Sequence, residues 1–144
     1  AELEATWWES LDQMIARMDV ISVNCPHTPS TFHLMNARRL KLMKPSAVIV
    51  NTSRGEVIDE NALTRMLRAG EIAGAGLDVF ENEPPTDSAL LELDNVVLTP
   101  HTAAFTFEGM NNMSVGVVEQ LIAYYHGNKP VYTVNPEAWD AQKV

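Results

Sequence analysis

An α/β fold with a parallel sheet follows from three features of this 144-residue chain. Short apolar runs such as Ala47-Val48-Ile49-Val50 alternate with segments of helical periodicity. The runs carry β-branched residues, which suit strands. Each run gives way to polar or special residues: Asn24, Asn51, Asp78, and Pro100 with His101.

The elements follow in order. Ser10 followed by Gln13 has capping-box spacing, and Leu11, Met14, Ile15 and Met18 recur at helical intervals up to Asp19. Val20-Ile21-Ser22-Val23 reads as a short strand, and residues 24–35, rich in Asn, Pro, Thr and Ser, as a loop. Asn36 is placed to cap a helix over 37–43, which must stop before Pro45. Residues 47–50 form a buried central strand. Asp59 opens the next helix, with Ala62, Leu63, Met66 and Leu67 on its inner face and Gly70 at its end. The next strand spans 74–80; its small residues point to close backbone packing or to a ligand pressed against it. An acidic, proline-containing loop over 81–95 precedes the last strand, 96–99. A long helix over about 106–126 places Met110, Met113, Val117, Leu121 and Tyr124 on one stripe, read as core or interface. Gly127 and Pro130 end it, leaving a tail with Tyr132 and Trp139.

Composition excludes several classes. The chain is 46% hydrophobic and 20% charged, an ordinary globular balance. Ten Lys and Arg against nineteen Asp and Glu give a net charge of −9, which argues against nucleic acid or an anionic membrane as partner. No apolar run approaches the roughly 18 residues of a membrane span. The single cysteine, Cys25, makes no intrachain disulfide and fits a reducing, cytoplasmic compartment. Ala1-Glu2-Leu3-Glu4 carries two acids where a leader is basic, and no methionine starts the chain. The chain is therefore expected to begin inside a longer protein.

In open α/β sheets, ligands bind beyond the carboxyl ends of the strands. Those ends gather Asn24-Cys25-Pro26, Asn51-Thr52-Ser53-Arg54-Gly55, Asp78 with Glu81 and Glu83, and Pro100-His101-Thr102. Arginine holds a carboxylate at two points and stays charged. An imidazole titrates near neutrality and can exchange a proton with a reacting oxygen. An acid–base site with an anion clamp is the reading. Set against it are plain roles: Arg54 paired with Glu56 or Asp59, Glu81 and Glu83 as solvated acids, His101 as a strand-end histidine, and Cys25 as a small buried residue. His27, His33 and His126 have no metal-ligand spacing. Arg38, Arg39, Lys41 and Lys44 read as the solvated face of a short helix.

Val50-Asn51-Thr52-Ser53-Arg54-Gly55-Glu56-Val57-Ile58-Asp59 resembles the arginine signature of the D-isomer-specific 2-hydroxyacid dehydrogenases. Gly76-Leu77-Asp78-Val79-Phe80-Glu81-Asn82-Glu83-Pro84 resembles their glutamate signature, and Leu98-Thr99-Pro100-His101 their histidine signature. Order and spacing agree, most specifically over residues 18–104. Within the family the chain is most similar to glyoxylate and hydroxypyruvate reductases. Cys25-Pro26-His27-Thr28-Pro29 also resembles formate dehydrogenases. Those enzymes, however, carry glutamine where Glu83 stands and a Ser-Gly pair after the histidine, where this chain has Thr102-Ala103-Ala104.

The resemblance implies a Rossmann-like nucleotide-binding domain, of which residues 1–104 are the C-terminal part. Residues 105–144 are then an interdomain helix and tail returning toward a substrate domain outside the chain. It implies an oxidoreductase that uses NAD or NADP and a small 2-oxoacid, acts as a homodimer in the complete subunit, and needs no metal. Arg54 is implied to bind the 2-oxoacid and polarise its carbonyl, with Glu83 and His101 as the acid–base pair. Cys25, Pro26, Thr52, Ser53, Arg54, Asp78, His101, Thr102, Ala103 and Ala104 are implied to contact the cofactor, Asp78 through the nicotinamide carboxamide. The family's Gly-x-Gly-x-x-Gly turn for the pyrophosphate is not made by Gly70, Gly74 and Gly76. That turn is expected before Ala1, and the chain by itself is expected to be inactive. Two other readings stay open: a formate dehydrogenase-like oxidoreductase, and a corepressor that senses nicotinamide binding.

Overall fold

The computed structural model describes residues 5–86 and 88–141; the acidic start at residues 1–4 lies outside them. The chain divides into two compact units, one up to Thr102 and one from Ala103 on.

The first unit is built on one four-stranded sheet, β1 (Val20–Val23), β2 (Val48–Asn51), β3 (Gly74–Leu77) and β4 (Val96–Leu98), in that spatial order. Every neighbouring pair is parallel, with Val23 opposite Asn51, Asn51 opposite Leu77, and Leu77 opposite Leu98. All four carboxyl ends therefore share one edge of the sheet. Three short helices lie between and before the strands: α1 (Leu11–Ile15), α2 (Ala37–Leu40) and α3 (Glu60–Arg68). Their starts are capped as expected, since Ser10, Asn36 and Asp59 accept the backbone N–H groups of Gln13, Arg39 and Ala62. α1 and α2 are shorter than their apolar spacing predicts; residues beyond Ile15 and Leu40 continue as turns.

The core lies between the helices and the sheet. Ile15, Leu40, Ile49, Val57, Leu63, Ile72 and Leu90 are fully buried, and side chains of this size each contribute about 1.5–3 kcal/mol on burial. α3 buries Ala62, Leu63, Met66 and Leu67 on one face, and Gly70 follows it with φ +69°. Gly74 packs against the 95 turn, where a Cβ would sit 2.9 Å from the Asn95 carbonyl oxygen. The strand read over 74–80 stops at Leu77 because the neighbours β2 and β4 end at Asn51 and Leu98, opposite it. Val79 and Phe80 remain buried without pairing. The 81–95 loop contains a 3₁₀ turn over Ala89–Glu92, and another spans Gly55–Val57; neither is marked in the sequence pattern.

The basic face assigned to α2 is not simply solvated. Asp12 on α1 accepts from Arg38 Nη1 at 2.7 Å and Arg39 Nε at 2.9 Å, and these hydrogen bonds bring its carboxyl from 3.8 to about 2. Lys44 pairs with Asp19 at 2.8 Å.

The second unit holds α4 (Phe107–Tyr125) and α5 (Pro136–Ala141). Thr106 caps α4 through the Gly109 N–H, and Gly127 follows its end with φ +73°. The tail returns along α4: Tyr132 N–H donates to Gln120 Oε1 at 3.1 Å, and Trp139 meets Tyr124 edge-on at 5.9 Å between centroids. No residue of α4 is buried, so its stripe of Met110, Met113, Val117, Leu121 and Tyr124 is an exposed apolar face, not a core face. Among the described residues no helix is long and apolar enough to cross a membrane.

Candidate active site

The turn after β2 is wired by one buried side chain. Asn51 Oδ1 accepts the Ser53 N–H at 3.0 Å and the Ser53 hydroxyl at 2.8 Å, while its Nδ2 donates to the Arg54 carbonyl at 2.9 Å. Asn51 is 1% exposed, so the side chain that closes this Asx turn is held inside the fold and fixes where the next residues leave it. Arg54 emerges exposed, with Nη1 donating to the Ser53 carbonyl at 2.7 Å. Among the described residues no ion pair ties it to Glu56 or Asp59.

Gly55 explains how this turn meets the next one. A Cβ there would fall 1.9 Å from the Phe80 carbonyl carbon and 2.4 Å from the Glu81 nitrogen. Only glycine lets the backbone after Arg54 lie directly on the backbone before Glu83.

Glu83 turns back on its own loop. Its Oε1 accepts the Phe80 N–H at 3.1 Å, and its Oε2 meets His101 Nδ1 at 2.7 Å. The hydrogen bond from His101 holds the Glu83 carboxyl below the usual carboxylate range, aided by the Phe80 N–H and the nearby charges of His101 and Arg54, against partial burial. An ionised Glu83 is an acceptor only, so Nδ1 must donate. Nε2 is then the ring nitrogen left to exchange a proton. Glu83, His101, Phe80 and Pro84, Pro85 and Pro100 line a cleft of about 300 Å³.

Asp78 secures the segment that carries His101. It is 4% exposed, and its Oδ1 accepts both the Thr99 hydroxyl and, at 2.8 Å, the Thr102 N–H. His101 sits between these two anchors at φ +55°, a backbone state that costs a non-glycine residue about 1–3 kcal/mol. Strain of this kind persists where surrounding contacts impose it.

A second cleft, of about 620 Å³, is lined by Asn24, Cys25, Pro26, His27, Thr52, Ser53 and Arg54, at the carboxyl ends of β1 and β2. Its size suits a small-molecule site. Its lining mixes hydroxyl and amide groups with Cys25 and the ring of Pro26, as an amphiphilic cofactor requires. Of the residues expected around a cofactor, Cys25, Pro26, Thr52, Ser53 and Arg54 meet in this cleft. His101 is in the smaller cleft, and Asp78 and Thr102 are joined by a hydrogen bond. Ala103 and Ala104 belong to the second unit. Among the described residues no three His, Cys, Asp or Glu side chains gather as a metal site.

Sequence reasoning underrated two residues here. Asn51 was legible as an Asx turn from Ser53 two residues on. Glu81 was read as a solvated acid, yet its carboxylate holds His33 and the Glu60 N–H.

Comparison with known proteins agrees with this architecture. Residues 1–103 match the family model described as D-isomer specific 2-hydroxyacid dehydrogenase, NAD binding domain, and the chain belongs to that family. It is 45% identical over 133 residues to the glyoxylate reductase of Thermococcus onnurineus, covering 92% of this chain and 40% of that protein. It is 45% identical over 128 residues to glyoxylate/hydroxypyruvate reductase B of Pectobacterium carotovorum, covering 88% and 40%. The structure of an NADPH-dependent glyoxylate/hydroxypyruvate reductase from Sinorhizobium meliloti, in complex with NADP and malonate, superposes with a TM-score of 0.80 at 43% identity, covering 85% of this chain and 38% of that one. The chain thus spans about 40% of the length of the relatives it matches.

Proposed function

We propose that the complete subunit carrying this chain is a glyoxylate or hydroxypyruvate reductase that interconverts a small 2-oxoacid and its D-2-hydroxyacid with NAD or NADP. The observation that carries this reading is the 2.7 Å Glu83–His101 hydrogen bond. Arg54 leaves the turn whose Gly55 lies against the Phe80–Glu81 backbone, so the turn bearing the proposed clamp adjoins the loop bearing Glu83. When bound, the nicotinamide supplies the hydride that reduces the carbonyl carbon.

The chain's own residues do the rest. Arg54 binds the substrate carboxylate in two-point fashion and polarises the adjacent carbonyl. His101 gives the proton on Nε2 to the carbonyl oxygen and takes it back when the hydroxyacid is oxidised. Glu83 accepts from Nδ1 and so fixes the ring's tautomer. Cys25, Pro26, Thr52 and Ser53 line the cofactor cleft, and Asp78 and Thr102 add cofactor contacts. The proposed subunit works as a cytoplasmic homodimer, with neither nucleic acid nor membrane as partner.

Steady-state turnover of glyoxylate and hydroxypyruvate by the complete subunit, with NADH and with NADPH, tests the reading. Saturable reduction supports it. Cofactor binding without turnover would favour a nicotinamide-sensing binding protein, and formate oxidation would favour the formate dehydrogenase-like reading.

A further inference from the structure

Two glutamates in one loop each hold a histidine. Glu83 holds His101, as described. Glu81 holds His33, whose Nε2 lies 2.9 Å from Glu81 Oε1 although the two residues are 48 positions apart. Neither belongs to the machinery assigned above.

The surroundings of this second pair are closed by reciprocal bonds. Glu81 Oε1 also accepts the N–H of Glu60, the first residue of α3, at 3.0 Å. Glu60 Oε2 accepts the Glu81 N–H at 3.0 Å, and Glu60 Oε1 accepts the Ser88 hydroxyl at 2.9 Å. The side chains of His33 and Glu81 are only 30% and 23% exposed. His33 adopts φ +46°, and Phe32 stacks on its ring at 4.0 Å between centroids. The His33 N–H donates to the Glu56 carbonyl at 2.8 Å and the Met35 N–H to the Val57 carbonyl at 3.0 Å. The loop carrying His33 is thereby bound to the turn that directly follows Arg54.

These lines converge on the backbone of Phe80 and Glu81. Gly55 lies against it, the Phe80 N–H anchors Glu83, and the Glu81 N–H is anchored by Glu60. We infer that His33, Glu81 and Glu60 form a brace that sets the Arg54 turn against the Glu83–His101 pair, so that Glu81 and His33 are positioning residues for the reaction. The kinetic consequence rests on the reductase reading; the structural one does not. A clamp and a proton donor on separate loops need such a brace, because a misplacement of about 1 Å costs up to roughly a hundredfold in rate.

Two variants of the complete subunit test this. Glu81→Gln keeps an oxygen acceptor and removes the charge that holds His33. His33→Asn removes the ring, and asparagine tolerates the left-handed backbone. Either variant is expected to lower kcat for glyoxylate on the order of ten- to a hundredfold, with NADPH affinity nearly unchanged. Either is also expected to shift or broaden the His101 imidazole NMR signals of the free subunit. A purely stabilising role would lower the melting temperature but leave kcat per folded molecule and the His101 signals as in wild type, and that result would overturn the brace. If Glu81→Gln does not fold, His33→Asn decides. If the wild-type subunit reduces no 2-oxoacid, the reductase reading fails by itself, and the His101 signals alone decide the brace: moved signals support it and unmoved signals overturn it.

Discussion

Glu83 and His101, eighteen residues apart, meet at 2.7 Å across the carboxyl edge of the sheet. The contact joins the loop after β3 to the loop after β4, and each partner is held from behind. Glu83 is anchored by the Phe80 N–H, and the His101 segment by Asp78 through Thr99 and Thr102. The ring is thus fixed by Nδ1 and presents Nε2.

Arg54→Lys in the complete subunit keeps the charge and loses the planar two-point contact. Charged hydrogen bonds of this kind contribute about 1.5–3 kcal/mol, so kcat/KM for glyoxylate is expected to fall about ten- to a hundredfold. Steady-state kinetics check it. Kinetics like wild type would place Arg54 outside the site.

Gly55→Ala drives a methyl group into the Phe80–Glu81 backbone, which the Gly55 position leaves no room to receive. Overpacking against side chains costs about 1–3 kcal/mol, and a backbone contact is expected to cost at or above the top of that range. Thermal unfolding should show a lower midpoint, with 2-oxoacid reduction impaired as well. An unchanged midpoint would mean that the two turns do not touch.

Asp12 gives a pH signature that is separate from the site. Its carboxyl is brought to about 2 by Arg38 and Arg39, below the 3.8 of the free group. A depressed carboxylate contributes stability that is fully present above its unfolded value and lost as pH falls through its folded value. Asp12→Asn should therefore be less stable than wild type at neutral pH. The gap should narrow between about pH 4 and pH 2, as urea unfolding across that range would show. A gap that persists unchanged at pH 2 would assign the loss to packing.

Much of the fold was legible because its strands are short apolar runs and its helices begin at capping residues. Val20–Val23 agrees end to end with the sequence reading. The ends of α1, α2 and β3 were not, since they depend on where neighbouring elements stop. The proposed site draws on residues that sit in local motifs, as Arg54, Glu83 and His101 do, which is why the sequence singles them out. The brace was not, because His33 and Glu81 are distant in sequence and each looks like a surface polar residue. The left-handed backbone of His33 and His101 likewise has no local signal, being imposed by the loops' partners. The short helix over Pro136–Ala141 carries too few residues to show a period.

Proton exchange by His101 under the control of Glu83 is tested most directly by kcat/KM against pH, in both directions, for wild-type and Glu83→Gln subunits. Reduction needs the imidazolium and oxidation of the hydroxyacid needs the neutral ring. The hydrogen bond from His101 holds the Glu83 carboxyl below the usual carboxylate range, and a carboxylate, an acceptor only, fixes Nδ1 as the donor and leaves Nε2 to exchange the proton. Glutamine keeps the size and removes the charge. The predicted result is that the variant loses kcat/KM in both directions across the pH range, because a glutamine amide can offer Nδ1 either a donor or an acceptor and no longer fixes the tautomer. Values of kcat/KM like wild type in both directions would contradict the pairing of Glu83 with His101 as the source of the proton.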